Sequence, residues 1–339
     1  MATMKDVARL ADVSVTTVSH VINGTRYVSP ELTERVNRAI KELDYHPDPL
    51  AQGLSKGKSQ TIALIVSDIV NPFFPQVARG VEDCVREHEF SLILSNTDEN
   101  AKQEKKNLSL LEAKRVDGFI ISPTGGGSEN IQPYLEKGIP VVCIDRELSG
   151  VKVDQVFSNN REGGYNATKH LIDQGHENIG IILELPEIMS FADRLEGYKE
   201  ALRENGIRVE EEYVKKSGLE VEGAYASTES LLNDHPEVTA IFSTNDLMTE
   251  GVLRYFKEHR IKCPEDIALV GFDDPEWAAS FNPSITSVAQ QPYEMGYQAA
   301  QLCFEQIESG NENRHPRKIE LATELRPRES TSSSRNNNT

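Results

Sequence analysis

The twelve residues VSVTTVSHVING (13–24) contain no Lys, Arg, Asp or Glu, in a chain where 27% of residues are charged. At helical spacing Thr16, Ser19, His20 and Asn23 share one face, while Val18, Val21 and Ile22 form an apolar stripe. A row of short hydrogen-bonding side chains without charge suits the base edges of a DNA major groove, which present donors, acceptors and the thymine methyl. A second set is spread along the chain. DIVNPFF (68–74), Asp145-Arg146, Asn245-Asp246 and Asp273-Asp274 each follow a short apolar run, Arg194 begins a later helix, and Gln290 lies near a crossover. Carboxylates and amides pair with vicinal hydroxyls, arginines fork onto oxygens, and Phe73 and Phe74 can cover an apolar ring face, so the set suits a sugar. Singly, each has a plainer structural role: Asp273 as a helix cap, Asn71-Pro72 as a turn, either phenylalanine as core.

The first set needs a small rigid support, which residues 1–48 can provide as three helices. Thr3 caps the first, with Asp6 at the capping-box position and Val7, Ala8 and Ala11 inward, and it ends at Asp12. Ser14 caps the second and Gly24 stops it. Ser29-Pro30-Glu31 opens the third, whose apolar face is Leu32, Val36, Ile40 and Leu43. Two helices joined by about four residues, the second with an uncharged polar face, form a helix-turn-helix, and Lys5, Arg26, Arg35 and Arg38 flank it for phosphates. The plainer alternative is a three-helix packing unit.

The second set needs strands. TIALIVS, SLILSN, DGFIIS, PVVCID, NIGIIL, TAIFST and IALVGF are apolar runs separated by helix-length stretches, the alternation of parallel sheets covered on both faces. There is enough for two doubly wound subdomains, 59–161 with a returning segment 292–324, and 162–291. In such sheets ligands bind beyond the carboxyl ends of the strands, where the polar residues named above fall.

With 339 residues, two or three domains are expected. The net charge of -18 is uneven: residues 1–60 carry 8 Lys and Arg against 7 Asp and Glu, leaving 28 against 47 for the remainder. A near-neutral head on an acidic body can still meet phosphate locally. No apolar run approaches a membrane span and the start lacks a secretory signal, so a cytoplasmic protein with no membrane partner is expected. Cys84, Cys143, Cys263 and Cys303 are far apart and suggest buried thiols, with no metal or cofactor.

The segments MKDVARLADVSVTTVSHVING and YVSPELTERVNRAIKELDYHPDPLAQGLSKGKS resemble the head and hinge of the LacI/GalR family of bacterial repressors, the start being most similar to its purine-repressor branch. The resemblance runs on to Arg328-Glu329-Ser330-Thr331. It implies an α/β chain: a helix-turn-helix head over 1–48, a hinge helix and linker over 49–58, and a periplasmic-binding-protein-like pair of doubly wound subdomains over 59–331 for effector binding and dimerisation. The tail 332–339 reads as disordered. It further implies that Val15, Thr16 and His20 read bases, that Thr17, Ser19, Asn23 and Arg26 add phosphate or base contacts, and that Leu54 enters the minor groove and kinks the duplex. Gly53 departs from this pattern and weakens a hinge helix by about 1 kcal/mol. Asn71, Phe73, Phe74, Asp145, Arg146, Arg194, Asn245, Asp273 and Gln290 have the residue types of the ribose-repressor branch, although the two arginines equally suit a sugar acid. Ser158-Asn159-Asn160 departs from the Asp-Asn pair of many relatives.

The expected function is a homodimeric repressor of a carbohydrate-use operon. It would bind near-palindromic operator DNA and respond to a sugar or sugar acid such as ribose or 2-keto-3-deoxygluconate. A protein corepressor remains the alternative signal. An enzyme is disfavoured: there is no P-loop, G-x-G-x-x-G or H-E-x-x-H, and Gly125-Gly126-Gly127 lacks the lysine of a phosphate loop. A free sugar-binding transport protein would not carry the DNA-reading head.

Overall fold

The computed structural model describes residues 2–45, 59–124, 127–148, 150–185, 188–218, 220–310 and 315–332. The expected hinge 49–58 with Leu54, the turn glycines Gly125 and Gly126, and tail residues 333–339 lie outside the described residues. Two compact units are present, Met1–Thr61 and Ile62–Thr339.

The first unit contains α1 (Met4–Ala11), α2 (Val15–Asn23) and α3 (Pro30–Glu42). Thr3 Oγ1 accepts the Asp6 N–H at 3.3 Å and the Asp6 carboxylate accepts the Thr3 N–H at 3.0 Å, a complete capping box. Asp12, at φ 52°, turns the chain, and Ser14 Oγ takes the Thr17 N–H at 3.0 Å, so only three residues separate the first two helices. Gly24, at φ 61°, ends α2 in the left-handed region that favours glycine. Val7, Ala8, Ala11, Val18, Val36 and Ala39 are the buried core. Arg35 is only half-buried, but its guanidinium, expected to face phosphate, is already engaged within the head. Its Nε and Nη2 donate to the Ala11 carbonyl at 3.1 and 2.7 Å, satisfying an acceptor that the end of α1 leaves open.

The second unit has two lobes. The first begins with β1 (Thr61–Val66), α4 (Phe73–Glu87), β2 (Ser91–Asn96), α5 (Ala101–Ala113), β3 (Gly118–Ile121), α6 (Gln132–Glu136), β4 (Val141–Ile144) and β5 (Asp154–Ser158). The second follows with α7 (Asn160–Asp173), β6 (Ile179–Leu183), α8 (Met189–Glu204), β7 (Val214–Lys216), α9 (Val221–Asp234), β8 (Ala240–Ser243), α10 (Asp246–His259), β9 (Ala268–Phe272), α11 (Glu276–Ser280) and β10 (Thr286–Ala289). The chain then returns to the first lobe with α12 (Pro292–Ser309) and β11 (Lys318–Leu321), and crosses again to place β12 (Glu324–Arg326) in the second. That last crossing falls between Leu321 and Glu324, at the end of the returning segment expected near 292–324.

The sheet orders are β11-β5-β4-β3-β1-β2 and β12-β10-β9-β8-β6-β7. Equivalent central pairs are parallel, Phe119↔Val141 in one lobe and Ala240↔Ala268 in the other; β12 runs antiparallel to β10. Side chains of β1 alternate between two cores: Ile62, Leu64 and Val66 face Val77, Val81 and Cys303, while Ala63 and Ile65 face Leu108 and Leu111. The returning α12 lies close to α4. A Cβ on Gly80 would fall 2.0 Å from the Tyr293 carbonyl oxygen, and one on Gly296 2.1 Å from that of Val77.

The seven apolar runs became β1–β4, β6, β8 and β9, whereas five strands carried no such signal. In β5 the buried Gln155 exchanges two hydrogen bonds with the Leu148 backbone, and Asp154 accepts from Gln306 and the Arg317 N–H. Asp154 and Gln155 can be buried there because both are satisfied.

Candidate functional site

The lobes present matching turns at the carboxyl ends of their strands. After β4, Asp145 adopts φ 68° and its N–H pairs with the Val156 carbonyl at 3.0 Å; after β9, Asp273 adopts φ 82° and its N–H pairs with the Val288 carbonyl at 2.9 Å. Both aspartates hold backbone conformations unusual for a side chain with a Cβ, a strain that is concentrated at functional sites. Both line one cleft of about 360 Å³ between the lobes.

All nine residues expected to hold an effector line this cleft: Asn71, Phe73, Phe74, Asp145, Arg146, Arg194, Asn245, Asp273 and Gln290. Asn71 makes the turn it was expected to make, its Oδ1 accepting the Phe73 N–H at 2.8 Å, and its Nδ2 also crosses the cleft to Asp246 Oδ1 at 2.9 Å. Phe73 and Phe74 serve both expected roles, as core beneath α4 and as cleft wall, with rings edge to face at 5.2 Å. Asp273 does not cap α11, which starts after Pro275; its carboxylate accepts from Gln290 Nε2. Asp274, its neighbour in sequence, is a clamp outside the cleft, bound to Arg326 and Arg328.

The arginines are less available than their sequence context implies. Arg194 stacks 3.7 Å from the Phe272 ring, donates from Nε to Asn160 Oδ1 at 2.8 Å, and from Nη1 to the Thr244 carbonyl. The departure at 158–160 therefore has a use, with Asn159 capping α7 and Asn160 orienting Arg194. Arg146 forks onto Glu99 and also reaches the Pro123 carbonyl at 3.0 Å.

Other residues of the cleft were not singled out in advance, among them Ser67, Glu99, Glu184, Ser190, Phe191 and Leu247. Glu184 directly follows β6 and accepts from Asn245 Nδ2, so the polar-after-strand rule could have found it. Burial pushes Glu184 up to about 8. Asp246 is also raised to about 8, first by burial and then by the charge of Asp273. Burial raises Asp145 and Asp273 as well. Gln290 Oε1, on the cleft wall, is buried with no hydrogen-bond partner, an acceptor that a ligand hydroxyl would satisfy, and Asp246 Oδ2 is likewise buried and unpartnered.

In the head, Val15 and Thr16 are exposed at the start of α2, and Lys5 and Arg26 are exposed beside it, free of ion pairs among the described residues. Thr17, Ser19, His20 and Asn23 are half-buried. Within this row, Ser14 and Thr17 share a hydroxyl contact at 2.8 Å, Asn23 Nδ2 donates to Ser19 Oγ at 3.2 Å, and His20 Nδ1 lies 2.8 Å from Thr25 Oγ1. Tyr27, 89% exposed, is a further aromatic beside this surface. No helix among the described residues is long and apolar enough to cross a membrane.

Comparison with known proteins matches residues 3–48 to the model of bacterial regulatory proteins of the lacI family, and residues 168–331 to that of a periplasmic binding protein-like domain. The ribose operon repressor of Haemophilus influenzae is 37% identical over 315 residues, covering 92% of this chain and 94% of that protein. The transcriptional repressor PurR of Vibrio atlanticus is 35% identical over 330 residues, covering 95% and 98%. A LacI family regulator from Enterococcus faecium, solved with bound ribose, superimposes with a TM-score of 0.72 at 30% identity, covering 80% of this chain and 98% of that one.

Proposed function

Because the chain belongs to the lacI family, whose members here are DNA-binding transcriptional repressors and not enzymes, we propose that it represses a carbohydrate-use operon under the control of a small sugar or sugar acid, such as ribose or 2-keto-3-deoxygluconate, held in the cleft. The observation that carries this reading is the convergence of carboxylates, amides and arginines from both lobes on one small space whose wall includes the unpartnered acceptor Gln290 Oε1. The cleft volume of about 360 Å³ lies near the lower end of the roughly 300–1,000 Å³ typical of small-molecule sites, as a monosaccharide requires.

Identity alone does not choose between a sugar and a purine, since the two relatives differ by 37% against 35%. The chemistry of the lining favours the sugar. A flat base wants parallel faces, whereas Phe73 and Phe74 stand at 86° to one another and Arg194 covers the ring of Phe272. Hydroxyls, by contrast, pair with the carboxylates and amides that dominate the wall.

A ligand touching both lobes shifts their equilibrium by its differential affinity for the closed arrangement, and the DNA-binding state is coupled to that shift. Val15, Thr16 and His20 read bases, Thr17, Ser19, Asn23, Lys5 and Arg26 supply further contacts, and two copies of the chain meet a near-palindromic operator. The test is a thermal-shift screen of pentoses, hexoses and their acids, because a ligand at 100 times its Kd adds about 2.7 kcal/mol of stability. A rise with an aldose or a sugar acid supports the reading; no rise with any of them contradicts it.

A further inference from the structure

Arg146 is the side chain that its sequence context makes the natural partner for an acidic ligand, yet that partner is already built into the chain. Both terminal nitrogens of its guanidinium bond to the Glu99 carboxylate, Nη1 at 2.7 Å; Nη1 also donates to the Pro123 carbonyl, and Nη2 lies 3.5 Å from Ser67 Oγ. The pair is enclosed, with side chains 7% and 9% exposed. This bidentate geometry uses the fork with which an arginine would grip a ligand carboxylate.

The Glu99 backbone is held to this task. It sits at φ 53°, directly after Asp98 at φ 50°, and its N–H is tied to the Ser67 carbonyl at 3.2 Å. Two consecutive left-handed residues that are not glycine mark a conformation kept by its surroundings. Asn100 then caps α5 by accepting the N–H groups of Lys102 and Gln103, which anchors the far side of the turn.

Arg194 does not replace Arg146 as an anion receptor. Two of its donors are bound to Asn160 and Thr244, and Asp273, Asp145 and Glu184 all act on it electrostatically. The cleft wall as a whole carries seven Asp and Glu residues against these two arginines. An incoming carboxylate would have to displace Glu99 from Arg146 and enter a wall rich in carboxyl groups, several of which burial already disfavours in their charged form, whereas hydroxyls find hydrogen-bond partners there.

We propose that Glu99 determines the charge of the ligand: by closing on Arg146 it reserves the cleft for neutral aldoses and excludes the corresponding sugar acids. This narrows the sugar reading above and rests on it. Removing the Glu99 charge frees the Arg146 fork and admits the acid.

The experiment is calorimetric titration of the full chain and its Glu99→Gln, Glu99→Ser and Glu99→Asp variants. The probes are D-ribose, D-xylose, D-arabinose, D-glucose and D-galactose, each paired with its aldonate, and melting curves verify the fold of each variant. The parent is expected to bind a neutral aldose and to bind its aldonate at least ~10-fold more weakly; a folded Gln or Ser variant moves that ratio toward the acid by ~10-fold or more. Glu99→Asp, which keeps the charge, retains the exclusion, an outcome that a purely structural role for the side chain would not produce. Parent binding of an aldonate as tight as that of its aldose, or an unchanged ratio in folded Gln and Ser variants, overturns the role of Glu99 while leaving the sugar reading standing. No binding of any aldose or aldonate by parent or variants overturns both.

Discussion

In the head, the polar row of α2 faces outward, is uncharged, and makes only local contacts such as Ser19 with Asn23 and His20 with Thr25. In the cleft, polar groups are charged, buried and bonded to one another across long stretches of chain: Arg146 with Glu99, Asn71 with Asp246, Asn245 with Glu184. The difference reflects what each surface must discriminate. A duplex is a long polyanion whose sequence is written in small differences at base edges, so short neutral side chains read it and charges belong at the flanks. A small ligand must be distinguished from water and from similar molecules, so its site is organised in advance by a buried network of paired polar groups, one of them the Arg146–Glu99 ion pair.

Changes that break this network should have larger effects than changes in the head. The largest is expected from Asp273→Ala, which removes a cleft acceptor and leaves Gln290 without its partner. Affinity for the effector should fall by about 100-fold, as for loss of hydrogen bonds to a charged group, while the sugar-free protein keeps its operator affinity. Titration calorimetry and mobility shifts check the two halves separately.

Next comes pH. Asp246 and Glu184 are both raised to about 8, so between roughly pH 4 and 8 the folded chain holds protons that the unfolded chain has released. The stability this gives is full at the acid end of that window and is lost as pH rises through 8. The melting temperature of the body should therefore fall from pH 5.5 to 8.5, and Asp246→Asn should flatten that slope, as followed by circular dichroism.

In the head, His20→Ala should weaken operator binding by roughly 10-fold, in line with about 1–3 kcal/mol for a good base contact. The loss should be confined to one or two base positions in a randomised-site selection; unchanged preference would remove His20 from base reading. The smallest effect belongs to Ser14→Ala. Loss of that cap should cost the head about 1 kcal/mol, measurable by denaturant titration of the full chain.

The sequence revealed most where a local rule controls the structure. Caps at Thr3, Ser14 and Ser29 mark the head helices, and continuous apolar runs mark the buried parallel strands, because both signals depend on neighbours a few residues away. Residues placed directly after those strands could be read for the same reason. Glu99 could not be. It lies in the charged stretch Asp98-Glu99-Asn100, which has the texture of a solvated loop, and only the tertiary fold brings Arg146 to it from 47 positions away. Strand β5 was hidden by Asp154 and Gln155, whose burial depends on partners at Arg317, Gln306 and Leu148. Arg35 looked like a phosphate contact until the end of α1 was positioned beside it.

The most direct test of the account couples its two surfaces: fluorescence anisotropy of a selected operator duplex with the full chain, titrated without and with a saturating aldose that raises the melting temperature. The account predicts that operator affinity changes by at least ~10-fold, within the range typical of allosteric coupling. Equal affinity in both titrations, with the aldose demonstrably bound, would contradict it.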